Sequence, residues 1–147
     1  MRYFIYLLYV IRHKWDIMLE SFKRGRYLHG ISHDMSKFSI QEFGPYARFF
    51  YSNEDNREEF EKALEHHYKL NPHHWQHWVK DGKAQRIPFI HLEELVIDWE
   101  TMGKRFGNSA KEYYLSKKDE LNLNDITRLQ LEEILGVENT NTIAREE

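Results

Sequence analysis

Apolar residues recur at helical spacing along almost the whole chain. Near the start, Tyr6, Val10, His13 and Ile17 follow one another at intervals of four, three and four, which places them on one stripe of a helix. This helix is predicted to end near Gly25, because glycine is common just after a helix C-terminus. No segment shows the strict alternation of a half-buried strand, so the sequence predicts an all-α fold.

Turn residues divide the next part of the chain. Ser39 and Glu42 have the spacing of a capping box, which predicts that a helix starts there. Another helix is predicted over residues 57–70. Asn71-Pro72 has the pattern of an N-cap followed by a first-turn proline, so the helix is expected to restart and to run to residues 81–83.

The C-terminal half continues the pattern with three more helices, predicted at residues 89–106, about 109–121 and 125–135. We expect residues 1–136 to form a single-domain helical bundle and residues 137–147 to form a flexible tail with little to bury. The first of these helices carries a wide apolar face that we expect to be buried: Phe89, Leu92, Leu95, Val96, Trp99, Met102 and Phe106.

Composition narrows the class of protein. The chain has 147 residues, 41% of them hydrophobic and 15% aromatic, enough for one domain with a packed core. A net charge of −3 argues against general nucleic-acid binding. The lack of cysteine fits a cytoplasmic protein. The apolar residues 3–11 are too few to span a membrane, and charged residues follow instead of a signal-peptide cleavage site.

Nine histidines are present, and several lie beside acids or in pairs. His33-Asp34 brings an imidazole and a carboxylate within reach of one cation, and Lys37 follows about one turn later, where it could bind an anionic oxygen. His66-His67, His73-His74 and Asp98 offer further ligands. These side chains predict one or two divalent ions, with Mn, Fe, Ni, Co or Zn preferred over Mg, and hence metal-assisted hydrolysis.

Simpler interpretations stand beside this one. Asp34 and Lys37 could form an ordinary ion pair on a surface turn. Consecutive histidines on a helix diverge by about 100°, so one of each pair is expected to face solvent. His67 lies on the apolar side of its helix and is preferred to His66. His13, taken alone, would be an ordinary core residue.

Asp98 is the most informative single carboxylate. It borders an apolar face, where a charge costs free energy unless it is paired or bound to a metal. A salt bridge to Arg105 or Lys37 is one explanation. A metal ligand is the preferred one.

The order of these residues resembles the HD-domain superfamily of metal-dependent phosphohydrolases. His33-Asp34-x-x-Lys37 is similar to the HD-x-x-K signature of the HD-GYP phosphodiesterase branch, although the Gly-Tyr-Pro signature of that branch is absent. The resemblance is strongest to a small HD-like family of phage and bacterial proteins. It rests on four blocks: Arg12-His13-Lys14, His33 through Phe43, His66 through Trp75, and Val96 through Gly103.

The resemblance implies an HD-like helical bundle with a first divalent ion. His29, four residues before His33, is an alternative to His13. The superfamily pattern favours His13, because the first ligand there comes from the preceding helix. The ligands implied for this ion are His13, His33, Asp34 and Asp98.

The resemblance also implies a second ion, because related proteins with extra histidines hold two. His67 and one of His73 or His74 would bind it, with Asp34 bridging the two ions. Lys37 would contact phosphate.

The leading hypothesis is therefore a cytoplasmic phosphohydrolase or phosphodiesterase that acts on a small phosphorylated metabolite or nucleotide. The number of imidazoles leaves a di-iron HD-type oxygenase open. A non-catalytic metal- or nucleotide-binding module is the third alternative, and a homodimer is compatible with each. In that module, aromatic side chains would stack on a base: Phe38, Phe43, Tyr46, Trp75, Trp78 and Trp99.

Overall fold

The computed structural model describes residues 1–53 and 55–138, and the predicted all-α fold is confirmed there. The described residues divide into two compact units, the first from Met1 to His77 and the second beginning at Trp78. The α-helices are α1 (Arg2–Lys23), α2 (Tyr27–Ser32), α3 (Ile40–Tyr51), α4 (Arg57–Leu70), α5 (Phe89–Phe106), α6 (Ala110–Lys117) and α7 (Asp125–Leu135).

In the first unit, α1 packs against α2 and α3, and α3 packs against α4. The predicted inner stripe of α1 is confirmed, because Tyr6, Val10, His13 and Ile17 are all buried. Gly25 follows α1 with a φ of 70°, as expected for a residue that ends a helix. The core between α1, α3 and α4 comprises Tyr6, Val10, Tyr46, Ala47 and Ala63.

Helix α3 begins where it was predicted, but the predicted capping box is wrong. Ser39 is the N-cap residue, and its side chain makes no capping hydrogen bond in the described structure. Glu42 instead points into the first unit, where its carboxylate binds His66 and His67. A buried carboxylate without such partners costs more free energy than a helix start without a capping side chain.

The helix predicted to restart after Asn71-Pro72 is also wrong. The chain makes a turn there and continues into a short 3-10 helix, Trp75–Trp78. An antiparallel hairpin follows, β1 (Val79–Lys80) and β2 (Lys83–Ala84). Asp81 and Gly82 have φ angles of 50° and 74°, as a two-residue type I′ turn requires. The Asp81-Gly82 pair, predicted to end a helix, forms the hairpin turn instead.

In the second unit, α5 packs against α6 and α7. The bounds of α5 and α7 agree with the prediction, whereas α6 ends at Lys117 instead of near residue 121. Much of the predicted α5 face is buried, but Phe89 and Phe106, at the two ends of the helix, are 50% and 68% exposed. The terminal turns therefore extend beyond the core that covers the middle of α5.

No helix in the described ranges is long and apolar enough to cross a membrane. The predicted flexible tail lies outside the described residues, apart from residues 137 and 138.

Gly103 provides a test of the packing in the second unit. A Cβ atom at this position would lie 2.4 Å from the backbone oxygen of Asn108, closer than a real contact allows. We expect Gly103→Ala to lower the free energy of unfolding by roughly 1–3 kcal/mol. In Gly44→Ala, the matched control, the new Cβ would meet a movable Arg48 side chain at 3.3 Å. Thermal denaturation that shows equal stability for the two variants would contradict this packing.

Candidate metal centre

Most of the predicted ligands converge in the first unit. Helix α1 supplies His13, the segment between α2 and the 3-10 helix Met35–Phe38 supplies His33 and Asp34, and α4 supplies His67. The turn after α4 supplies His73 and His74. Three overlapping groups have ligand atoms close enough to share an ion: Asp34, His67, His73 and His74; His13, His33 and Asp34; and His29, His33 and His73.

Asp34 is the centre of this arrangement. It is only 2% exposed, and its φ of 54° places it in the left-handed region, which aspartate tolerates better than most residues. The surface turn considered from the sequence is therefore excluded. The backbone bend between α2 and the 3-10 helix Met35–Phe38 is thus made by the residue whose carboxylate lies in the site.

One oxygen of Asp34 faces the first pair of histidines. Asp34 Oδ2 lies 3.4 Å from His33 Nε2 and 3.6 Å from His13 Nε2. The two Nε2 atoms are 3.2 Å apart. Lys37 Nζ lies 2.6 Å from the same carboxylate oxygen, so the predicted ion pair is present, but it is formed with a buried aspartate.

The other oxygen faces the second set of histidines. Asp34 Oδ1 lies 3.3 Å from His73 Nε2 and 3.4 Å from His67 Nε2. His74 Nε2 lies 2.9 Å from His67 Nε2. Both residues of the His73-His74 pair can converge because they lie in a turn. On the predicted helix they would have diverged.

The chemistry of these atoms fits divalent transition-metal ions. On an ion with metal–nitrogen bonds of about 2.0–2.1 Å, neighbouring ligand atoms lie about 3 Å apart. The spacings between His13 and His33 and between His67 and His74 are close to this value. Ring nitrogens and carboxylate oxygens together suit Mn, Fe, Co, Ni or Zn.

Glu42 sets the orientation of His67. Its carboxylate can only accept, so His67 Nδ1 donates to Glu42 Oε2 at 2.9 Å. In a neutral His67 the lone pair then lies on Nε2, the atom that faces Asp34. Metal-binding histidines in proteins commonly have such a carboxylate partner on the other ring nitrogen.

Three further polar side chains hold Glu42 in place. Ser36 Oγ donates to Glu42 Oε2 at 3.0 Å, and Asn71 Nδ2 donates to Ser36 Oγ at 2.8 Å. His66 Nδ1 donates to Glu42 Oε1 at 2.7 Å. His66 thus contacts Glu42, the hydrogen-bond partner of His67, and does not belong to the three groups that could share an ion.

The sequence interpretation missed Glu42, Ser36 and Asn71. A signal for Glu42 was available, since it precedes the buried Tyr46 by four residues and so shares its face of α3. The criterion that singles out Asp98, a charged residue beside an apolar face, applies equally to Glu42. The signal for Ser36 and Asn71 was their place in two blocks of the family resemblance, His33 through Phe43 and His66 through Trp75.

The electrostatics keep both carboxylates ionised. Burial alone would raise the pKa of Asp34, but the charges of His33 and Lys37, with hydrogen bonds from His13 and His33, hold it well below its usual value. Burial also acts to raise the pKa of Glu42, and hydrogen bonds from His67 and His66 outweigh it and lower that pKa.

Asp98 lies on α5, in the second unit, whereas the three groups belong to the first. Its part in binding the first ion stays a prediction. His29, the alternative to His13 as first ligand, lies on α2, is buried and forms a group with His33 and His73. His13 is in a group with His33 and Asp34, the arrangement that was preferred from the sequence.

A cavity of about 730 Å³ lies beside His66 in the first unit. Its walls are aromatic at Phe38 and Phe43, and Arg48 and Lys62 contribute cationic groups. It is connected to the centre by a chain of contacts from His66 through Glu42 to His67.

The lowered pKa of Glu42 predicts a loss of stability in acid. The folded state keeps this carboxylate ionised, so its contribution is present at neutral pH and is lost as pH falls below the ordinary value of 4.5 toward the folded pKa. The contribution is about 1.4 kcal/mol for each unit of depression. Urea denaturation with EDTA between pH 7 and 3 should show a shallower acid dependence for Glu42→Gln. An unchanged slope would contradict this, and Glu61→Gln, at an exposed position of α4, is the control.

Comparison with known proteins identifies the family of the chain. No curated protein matches it, and no solved structure matches it. The model of one family, described as "Family of unknown function (DUF5662)", matches residues 2–137. Because this match covers nearly all of the sequence, the protein belongs to the family of unknown function DUF5662.

Proposed function

We propose that the protein is a divalent-metal-dependent phosphohydrolase or phosphodiesterase that acts on a small phosphorylated metabolite or nucleotide. One observation carries the proposal. The buried carboxylate of Asp34 faces two imidazoles with each of its oxygens, which is the arrangement expected of a carboxylate that bridges two cations.

The residues implied for the first ion are His13, His33 and Asp34, with Asp98 as the expected fourth ligand. Those implied for the second are Asp34, His67, His73 and His74. When bound, such ions polarise phosphoryl oxygens and make a nearby water molecule more acidic.

Lys37 is the residue that supports a phosphorylated substrate. Its ammonium group lies 2.6 Å from Asp34 Oδ2 and is partly exposed, so it can contact a phosphoryl oxygen that reaches the same place. There it would offset negative charge that develops in the transition state. Glu42 keeps the imidazole of His67 oriented while this happens.

A non-catalytic nucleotide-binding module is the second candidate. The cavity beside His66 favours it, because Phe38 and Phe43 in its wall can stack on a base. Neither Asp34 nor Lys37 lines this cavity. Nucleotide binding by calorimetry that stays unchanged in Asp34→Asn, without turnover, would favour the module over the enzyme.

Metal content and hydrolysis test the proposed enzyme directly. We expect the purified chain to contain a transition metal, to gain thermal stability when Mn or Zn is added, and to hydrolyse a member of a panel of phosphomonoesters, nucleotides and cyclic dinucleotides. Asp34→Asn keeps the shape of the side chain and removes its charge. We expect it to lose at least about 100-fold in turnover, together with most of the bound metal.

Glu61→Gln, at an exposed position of α4 outside the cavity beside His66, is the control for this experiment and should keep metal and activity. Asp98→Asn tests the ligand predicted on α5 and should lower the metal content. Wild-type protein that holds no metal and gains no stability from Mn or Zn would remove the basis of the proposal.

Glu42 provides a test of how the ligands are oriented. Glu42→Gln cannot accept hydrogen bonds from both His66 and His67 in the way the carboxylate does. We expect it to weaken Mn or Zn binding about 10- to 100-fold, measured by competition with a chelating dye. The same affinity in Glu42→Gln and wild type would mean that His67 does not bind the metal through this arrangement.

A further inference from the structure

Helix α1 is apolar on two sides, and the core of the first unit covers only one of them. Tyr6, Val10 and Ile17 are buried in that unit. A second line of apolar residues is exposed, and we name it the α1 stripe: Phe4, Leu8, Ile11, Trp15, Leu19 and Phe22. Their intervals of three and four residues keep them in one line over about 27 Å of helix.

The stripe is too large to be an ordinary patch on a monomer. Phe4 is 61% exposed, Trp15 57%, Leu8 52% and Ile11 49%. With the flanking Tyr3 and Ile5, the exposed apolar area is roughly 700 Å², if an aromatic side chain offers about 150–250 Å². The largest patch on a typical monomer is about 300–600 Å². A standard interface buries about 800 Å² on each partner.

The stripe also continues onto α2. The ring of Phe22 lies 5.1 Å from that of Tyr27, which is itself 59% exposed. An area that reaches the size of a standard interface, with aromatic residues at its centre and both ends, has the composition of the core of a protein–protein contact.

The charges of α1 favour antiparallel over parallel pairing of two copies. The N-terminal half of the helix carries the cations Arg2 and Arg12 and no acid. The C-terminal half carries the acids Asp16 and Glu20 together with Lys14 and Lys23. Antiparallel pairing places the cationic half of one copy beside the half that holds the acids of the other, whereas parallel pairing places every charge beside its own counterpart. The net charge of −3 on the whole chain opposes binding to an anionic lipid surface. The cations of α1 itself outnumber its acids, so vesicle binding is the competing outcome in the test below.

We propose that the α1 stripe is a homodimer interface in which two copies of α1 pack antiparallel about a two-fold axis near Ile11. Such an interface is self-complementary, because each copy presents the same surface to the other. The proposal is independent of the metal centre, whose ligand from α1, His13, faces the other side of the helix.

Mass and mutation test the interface. Light scattering after size exclusion should give twice the 18.0 kDa mass of one chain. Leu8→Glu combined with Trp15→Glu should give a monomer and weaken the dimer at least about 100-fold. Phe106→Glu, an equally exposed apolar site on α5, should stay dimeric. A monomeric wild type, or a dimer that the double variant leaves intact, overturns the proposal.

Cross-linking tests the orientation and does not depend on the folding of the double variant. The chain has no cysteine, so each introduced thiol is the only one present. Ile11→Cys should form a disulfide-linked dimer on mild oxidation, whereas Phe4→Cys and exposed Ile40→Cys should not. Efficient linkage through Phe4→Cys would show parallel pairing and contradict the model of the interface. Flotation of a monomer with phosphatidylserine-containing vesicles would assign the stripe to a lipid surface and overturn the proposal.

Discussion

The structure of the first unit depends on a buried negative charge that must be compensated. Asp34 is surrounded by imidazoles and by the ammonium group of Lys37. Glu42, a second buried carboxylate, accepts hydrogen bonds from His66 and His67. Charges in a low-dielectric interior are costly unless hydrogen bonds and opposite charges surround them. Helices α1, α3 and α4 therefore meet around polar side chains at one end and around aromatic rings at the other.

The polar and apolar parts of this unit support each other. Tyr46 packs its ring 5.3 Å from Phe60 in the core and 6.2 Å from the ring of His67. The aromatic core thus limits the positions that the imidazole can take, and Glu42 fixes the rotation of the ring. The arrangement of the candidate ligand atoms therefore depends on aromatic packing and on hydrogen bonding together.

Much of the fold and part of the candidate site could be predicted from the sequence, wherever the apolar periodicity and the charged positions indicated one structure. The helical spacing of Tyr6, Val10, His13 and Ile17 identified the buried face of α1. The bounds of α4, α5 and α7 followed from apolar spacing. The prediction for the segment from Asn71 to Ala84 was wrong because its turn residues fit more than one local structure. Asn71-Pro72 suits a helix start, and Asp81-Gly82 suits both a helix end and a hairpin turn. Tertiary contacts decided between them, which is why both His73 and His74 face the centre.

The left-handed backbone at Asp34 links the path of the chain to the chemistry of the site. Few residue types accept this conformation without strain, and aspartate and asparagine are among them. Glutamate, a mild replacement on most surfaces, would here add backbone strain and carry its carboxylate past the gap between the two histidine sets. Very few residue types can therefore satisfy both the backbone conformation at this position and the placement of a carboxylate between the histidines.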